Sequence, residues 1–329
     1  MNTDIMVSII CNAFNHEKYI RKTLDGFVNQ KTKFTFEILV HDDASTDGTA
    51  DIIRDFEKRF PDLIKPIYQT TNQYSIERGR VARLQRERAK GKYIALCEGD
   101  DFWTDYFKLQ KQVDALENNP SCHFCVCSTE IVNEDGTTTG KSFPKTFVPH
   151  GIIKSRDFMK LTEVYNFHTS SYLMSSELYV KYNNESPKFK TVTGVGDEPL
   201  LLFFGFVGDV YYIADKMSCY RTNSVSSWSR NFRAKKENNL KHFSSLIDMV
   251  NEFDIYSNFV YHDICENRIQ RIKFNISLIN KNFDEIFNNE NKRFYKNLPV
   301  KQRYTLLLER FFPTVYRFSF FCYNKLRKK

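Results

Sequence analysis

The chain has 329 residues, a mass of 39.0 kDa and 41% hydrophobic content, enough for one large domain with an appendage or for two domains. Its net charge of +8 is unevenly placed: Lys292 to Lys329 carries 11 Lys or Arg against Glu309 alone, and residues 1–291 carry 37 basic against 39 acidic residues. A near-neutral body with a basic tail excludes a nucleic-acid-binding core and directs the tail toward an anionic surface.

Ile5 to Cys11 reads as a first buried strand, and Ile20, Leu24, Phe27 and Val28 then fall on one face of a helix beginning near His16. Phe36 to Val40 is the next strand, followed by Ser45-Thr46-Asp47-Gly48, whose short polar side chains suit the N-cap of a helix to about Phe60. Ile64 to Tyr68 gives a third strand, Ile76 to Lys90 a basic helix and Tyr93 to Cys97 a fourth strand. This alternation predicts an α/β fold with a doubly wound parallel sheet. A helix begins near Asp105, with Leu109, Val113 and Leu116 on one face, and Cys122 to Thr129 returns as a strand. Asn166 to Ser175, Val210 to Ala214 and Met217 to Arg221 are strand-like, with an apolar helix over Glu198 to Phe206, which predicts mixed pairing in the sheet. Beyond a boundary near residue 231 the pattern turns helical, with Phe243, Leu246, Ile247 and Val250, then Ile264, Ile269, Ile272 and Ile276.

The eight cysteines lie mostly inside apolar runs and read as reduced, buried thiols. Cys122, His123, Cys125 and Cys127 lack the second cysteine pair that a zinc finger needs. No signal-peptide pattern opens the chain, and the longest apolar run, Pro199 to Gly208, falls short of the ~20 residues that span a bilayer. A cytoplasmic protein is the expectation.

The stretch with the clearest chemistry is Gly91 to Trp103, where an apolar strand ends in Glu98, Gly99, Asp100 and Asp101. Like charges crowded at the carboxyl end of a parallel strand are costly unless a cation or a metal-bound polyphosphate neutralises them. An acidic turn capping the next helix is the plainer alternative for such a pair. Asp42 and Asp43 stand at the end of the second strand, and Asp197 and Glu198 at the start of the apolar helix; simple helix capping would explain these too.

Three segments decide between these readings. Val7-Ser-Ile-Ile-Cys-Asn-Ala-Phe-Asn15, Glu37-Ile-Leu-Val-His-Asp-Asp-Ala-Ser-Thr-Asp-Gly-Thr49 and Ala89 through Trp103 resemble, in order and spacing, the family 2 glycosyltransferases. Gly196-Asp-Glu-Pro-Leu200, Tyr220-Arg221 and Trp228-Ser229 are similar to later motifs of a bacterial branch that builds surface polysaccharides. The resemblance covers about the first 230 residues. It implies a nucleotide-binding sheet of the glycosyltransferase A type with a mixed centre, over residues 1–230, followed by a C-terminal helical region, 231–329. Residues 1–103 would form the nucleotide-sugar half and 104–230 the acceptor half.

By the same resemblance the chain is an inverting transferase moving a sugar from a nucleotide-diphosphate donor, a UDP-sugar, to a lipid-linked saccharide in capsule, O-antigen or other surface polysaccharide synthesis. Ala13 and Phe14 would flank the base, Asp43 would accept hydrogen bonds from base or ribose, and Asp42 would support the loop. Glu98 and Asp100 would face the donor, with Asp100 and Asp101 holding Mn²⁺ or Mg²⁺. The branch has Gly-Asp-Trp-Pro where this chain has Gly196-Asp197-Glu198-Pro199, which aligns Asp197 with the catalytic base. Asn223 stands where many relatives have a histidine, which weakens a third protein ligand. Arg78, Arg80 and Arg83 on the basic helix could reach the phosphates or the base, or form a merely solvated helix face. His168 with Thr169, Ser170 and Ser171 could line an acceptor pocket, and Trp228 could stack on a sugar or pack.

The tail interleaves Leu306 to Leu308, Phe311, Phe312, Val315, Tyr316, Phe318, Phe320 and Phe321 with Arg310, Arg317, Lys325, Arg327, Lys328 and Lys329. Such a segment fits an anionic membrane interface on the cytoplasmic face, or the pairing of two protomers. Two competing readings are a catalytically silent scaffold of a polysaccharide assembly and a sugar nucleotidyltransferase. The second lacks a glycine-rich basic loop at Asn12 to Glu17.

Overall fold

The computed structural model describes residues 5–77, 79–162, 167–222 and 235–316. Arg78, Asn166, Asn223, Trp228, Ser229 and the tail from 317 to 329 lie outside the described residues. The chain divides into two compact units, Met1–Asn231 and Phe232–Lys329.

In the first unit, β1 (Val7–Ala13), β2 (Phe36–Asp42), β3 (Ile64–Tyr68) and β4 (Tyr93–Leu96) are joined through α1 (Ile20–Val28), α2 (Thr49–Arg59), α3 (Gln73–Ile76) and α4 (Arg80–Arg88). All four strands run parallel, in the order β3-β2-β1-β4. Parallel strands covered on both faces need continuous apolar runs, and Val7, Ile9, Cys11, Ile38, Val40 and Ala95 meet Leu24, Phe27, Ile53 and Phe56 in one core. Each fully buried aromatic such as Phe27 or Phe56 contributes roughly 1.5–3 kcal/mol of burial. The basic helix expected over Ile76 to Lys90 is two helices instead, because Gly79 takes φ +83°, a left-handed turn that no α-helix continues through.

Beyond β4 the sheet becomes mixed. β5 (Phe102–Trp103), α5 (Lys108–Glu117), β6 (Cys122–Val132), β7 (Thr138–Phe143), β8 (Gly151–Ile153), α6 (Ser155–Thr162), β9 (Leu173–Ser175), α7 (Ser176–Glu185), α8 (Lys188–Thr191), α9 (Asp197–Val207) and β10 (Asp209–Arg221) complete the unit. The order continues β4-β9-β6-β10-β5, with β7 paired to β6 and β8 to β10. β9 is antiparallel to both β4 and β6, whereas β10 is parallel to β6. The two strands expected over Val210 to Ala214 and Met217 to Arg221 are one strand, bulged between Ile213 and Ser218. The strand expected from Asn166 to Ser175 shortens to β9, because Thr169–Ser171 forms a 3₁₀ turn capped by His168. Phe124, Phe158, Tyr172 and Phe204 pack edge-on and stacked beneath this half.

The second unit contains α10 (Lys236–Tyr256), α11 (His262–Asn280), α12 (Phe283–Ile286), α13 (Lys292–Lys296) and α14 (Val300–Phe311). Its own core gathers Phe274, Ile286, Phe294 and Leu306. All seven cysteines among the described residues are free and buried. No described helix is long and apolar enough to cross a membrane.

Candidate active site

The carboxyl ends of β1, β2 and β4 are laced together by their loops. Ala13 O accepts from Asp43 N at 2.9 Å, joining the ends of β1 and β2. Past β1, Asn15 adopts φ 56°, and its amide donates to Ser45 Oγ while its side-chain oxygen accepts from Thr46 N. His16 N donates to Thr49 Oγ1 and Glu17 N to Asp47 Oδ2. The short polar residues of Ser45 to Thr49 therefore serve the neighbouring loop as well as their own helix.

This lacing places His16 against the acidic loop. A Cβ on Gly99 would stand 2.8 Å from His16 Nδ1 and 3.2 Å from Ala13 Cβ, so only glycine fits. His16 Nδ1 and, nearby in the chain network, Asp42 Oδ1 are buried without a hydrogen-bond partner among the described residues. Burial lowers the pKa of His16, against the opposing charges of Asp100, Asp47 and Asp42. Burial likewise raises that of Asp42, which Ser45 partly offsets by hydrogen bonding. Unpaired buried acceptors and donors at the mouth of a sheet are groups that a polar ligand can satisfy.

The acidic loop itself is gripped through its backbone. Gly99 N donates to Asn12 O and Asp101 N to Glu98 O. Thr23 Oγ1, buried on α1, lies 3.0 Å from Gly99 O and 2.5 Å from Asp101 O, and Arg221 Nε donates to Asp100 O at 2.9 Å. Glu98 is exposed on this scaffold and Asp100 half-buried. Glu98 accepts from Asn12 Nδ2 at 3.4 Å. It keeps contact with water, yet enough protein surrounds it that burial, with the Asp100 charge second, pushes its pKa up to about 7.

Asp101 differs from the expectation that it shares a cation with Asp100. It is 2% exposed, its Oδ1 accepts from Arg221 N at 2.9 Å, and its Oδ2 stands 3.7 Å from His168 Nδ1. Burial, and then the charges of Asp100 and Glu98, raise its pKa well above the usual carboxylate range. Successive side chains diverge where a strand turns out of a sheet, so adjacent acids in sequence need not face one ligand. Among the described residues no three His, Cys, Asp or Glu converge as a closed metal site. The donor set that remains, Glu98 and Asp100, fits a hard divalent cation whose other positions are taken by water and phosphate oxygens.

Asp43 is committed within the chain more fully than expected. Its two oxygens accept from Gln73 N at 2.7 Å and Tyr74 N at 3.0 Å, and it is 4% exposed. It thus fixes the start of α3 beside the β2 end. Phe14, by contrast, is 42% exposed at the end of β1. Arg83 is held bidentately by Glu77 at 2.8 and 2.9 Å.

His168 does not line an open pocket: it is buried with Ser170 and Ser171, 4.2 Å from the Tyr220 ring, and burial lowers its pKa to about 3.

Asp197 opens α9 and accepts from Glu198 N at 3.0 Å, where the helix N-terminus favours negative charge. Its surroundings lead back to β4: burial raises the pKa of Tyr172, with the charges of Asp197 and Glu198 adding to it, and Tyr172 O accepts from Leu96 N. Asn12, His16 and Thr23 were not singled out in the sequence. Thr23 left one legible trace, a polar residue within the apolar face of α1.

A family model described as Glycosyl transferase family 2 matches residues 8–182, more than half of the chain. An uncharacterized protein of Mycobacterium tuberculosis is 43% identical over 132 residues, covering 40% of this chain and 37% of that protein. The Escherichia coli UDP-Glc:alpha-D-GlcNAc-diphosphoundecaprenol beta-1,3-glucosyltransferase WfaP is 31% identical over 135 residues, 41% of this chain and 50% of that protein. The chain thus spans between about a third and a half of the length of these relatives. Among solved structures, Staphylococcus aureus TarS 1-349 in complex with UDP superposes with a TM-score of 0.55 at 14% identity, over 91% of this chain and 77% of that one. The sheet and helices described above are therefore those of the glycosyltransferase A fold.

Proposed function

Because the chain belongs to glycosyl transferase family 2, we propose that it transfers a sugar, with inversion, from a nucleoside-diphosphate donor, a UDP-sugar, to a saccharide carried on a lipid diphosphate. The observation that carries this reading is the acidic loop after β4: its backbone is held by Asn12, Thr23 and Arg221, and among the described residues its Glu98 and Asp100 carboxylates have no cationic partner at ion-pair distance. A donor diphosphate with Mg²⁺ or Mn²⁺ supplies that missing charge balance. The cation, when bound, stabilises the negative charge that develops on the departing diphosphate.

The residues divide the remaining work. Phe14 and the backbone at Ala13 flank the base, and Asp43 acts by fixing the α3 segment beside it, with Asp42 and His16 offering unpaired polar atoms to the ribose or base. Asp197 takes the proton of the acceptor hydroxyl as that oxygen bonds to the anomeric carbon, while the bond from that carbon to the diphosphate oxygen breaks on the opposite face.

A lipid-linked acceptor is also consistent with the second unit. Val300, Tyr304, Leu308, Phe311, Phe312 and Val315 are 42–65% exposed at near-fourfold spacing along and after α14, and the sequence beyond adds Arg317, Lys325, Arg327, Lys328 and Lys329 without an acid. An apolar stripe with adjoining cations suits peripheral binding at the anionic cytoplasmic face of a membrane in surface-polysaccharide synthesis. The test is a panel of UDP-, GDP- and other nucleotide sugars with Mn²⁺ or Mg²⁺. Release of nucleoside diphosphate from one donor, stimulated by the metal, is expected; no binding or release with any donor overturns the reading.

A further inference from the structure

Arg221 ends β10 and is 5% exposed, yet among the described residues no acid lies at ion-pair distance from its guanidinium. Carbonyls and rings take its place. Nε donates to Asp100 O, Nη1 donates to Glu134 O and reaches Asn133 O at 3.5 Å, and the guanidinium carbon sits 4.7 Å from the centre of the Tyr19 ring and 5.4 Å from that of Phe102. The backbone amide of the same residue donates to Asp101 Oδ1. One side chain therefore joins the acidic loop, the β6–β7 turn and the start of α1.

Thr23 approaches the loop from α1. Its single hydroxyl proton has Asp101 O at 2.5 Å and Gly99 O at 3.0 Å as its near acceptors, with Tyr19 O of its own helix at 3.4 Å. With Glu98 O accepting from Asp101 N, every carbonyl from Glu98 to Asp101 has a partner in the chain. A loop whose carbonyls are all engaged has little freedom to rotate its peptides, and the direction of each side chain follows from the peptides on either side of it. Neighbouring carboxylates repel and would otherwise swing apart; the cost of holding them together is met by the fixed backbone and by a buried cation behind it.

We propose that Arg221 and Thr23 form a two-sided clamp of positioning residues: they hold the Asp100 peptide so that the Glu98 and Asp100 carboxylates are pre-set for a divalent cation with a nucleoside diphosphate. Neither touches the reacting atoms. The clamp rests on the reading that the acidic loop receives those ligands. It adds that affinity for them is set from behind the loop, by a residue 120 positions away in sequence. Lysine cannot replace Arg221, since one ammonium cannot span Asp100 O and Glu134 O while lying flat on Tyr19.

The experiment measures Mn²⁺ binding in the presence of UDP or GDP by electron paramagnetic resonance of the free ion, on the full chain, beside steady-state kinetics and calorimetry. Arg221→Lys is expected to keep a folded transition, weaken Mn²⁺ binding with nucleotide roughly tenfold, and leave kcat at saturating Mn²⁺ within about threefold of the wild type. Thr23→Val, which preserves shape, is expected to weaken binding about fivefold with the same kcat pattern. Unchanged Mn²⁺ affinity in either folded variant overturns the clamp, as does a fall in kcat alone. Should Arg221→Lys fail to fold, the Thr23→Val result decides. A wild-type chain that binds Mn²⁺ with neither nucleotide overturns the donor reading and the clamp with it, whereas wild-type binding with unaffected variants removes the clamp alone.

Discussion

Asp100 and Asp101 are neighbours in the chain and face opposite fates: one carboxylate stays at the mouth of the site, the other is buried against Arg221 and His168. The same contrast sets the electrostatic behaviour of Glu98. Its pKa of about 7 lies above the ordinary 4.5, so the folded protein holds the Glu98 proton to higher pH than the unfolded chain does. With the folded value raised, charging Glu98 destabilises the fold as pH climbs above the unfolded value, with the full penalty reached once pH passes about 7. In EDTA, Glu98→Gln should therefore melt higher than the wild type at pH 8 and nearly level with it at pH 5. Adding Mn²⁺ and nucleotide should stabilise the wild type more than the variant. Calorimetry at the two pH values checks this, and a pH-independent difference would remove Glu98 from the charge cluster. At Asp197, replacement by Asn should leave donor affinity intact and lower kcat by about 10²-fold or more, the usual scale for a lost general base. Parallel loss of nucleotide binding would assign Asp197 to capping α9.

The elements that periodicity identified include those with a continuous apolar face: β1, β2, β4, β6, α1, α5 and α9. Their partners explain why. Leu24 and Phe27 on α1 pack under the sheet, and Phe27 meets Trp103 edge-on at 4.6 Å. The close approach of α1 to β5 depends on Gly26, where a Cβ would stand 2.9 Å from Trp103 O. Gly26→Ala should consequently cost about 1–3 kcal/mol, the usual penalty for overpacking a dense core, despite the better helix propensity of alanine. Chemical denaturation gives the value, and a stabilised variant would contradict the packing. β5, β7 and β8 escaped the sequence because each is short and borrows its hydrogen bonds from β6 or β10. The two residues of β5 and the three of β8 carry no readable period, and the six of β7 hold a single apolar side chain, Phe143.

For the molecule as a whole, the basic excess and the exposed stripe of α14 bear on where the chain works. A cut after Leu298 would remove Leu306 from the core it shares with Phe274, Ile286 and Phe294. A cut after Tyr316 keeps that core and deletes the last five cations. The shortened chain should retain its melting temperature and its release of nucleoside diphosphate, and lose most of its co-sedimentation with anionic vesicles at low ionic strength. Salt should have the same effect on the full chain through screening. Equal binding of both forms at low salt would place the membrane contact outside the tail.

By itself the sequence determined the parallel half of the sheet, the acidic loop after β4 and the segregation of charge, since each is a local pattern: an apolar run of fixed period, a cluster at its end, a count along the chain. It also indicated family 2, because that likeness is written in contiguous motifs. Tertiary structure decided which acids face the site and which are buried, since this depends on groups far apart in sequence: Thr23, Asn12, His168 and Arg221 converge on residues 98–101 only when α1, β1, β9 and β10 are assembled around β4. Side-chain direction at a strand end is set by such distant hydrogen bonds, and no spacing within the loop encodes them.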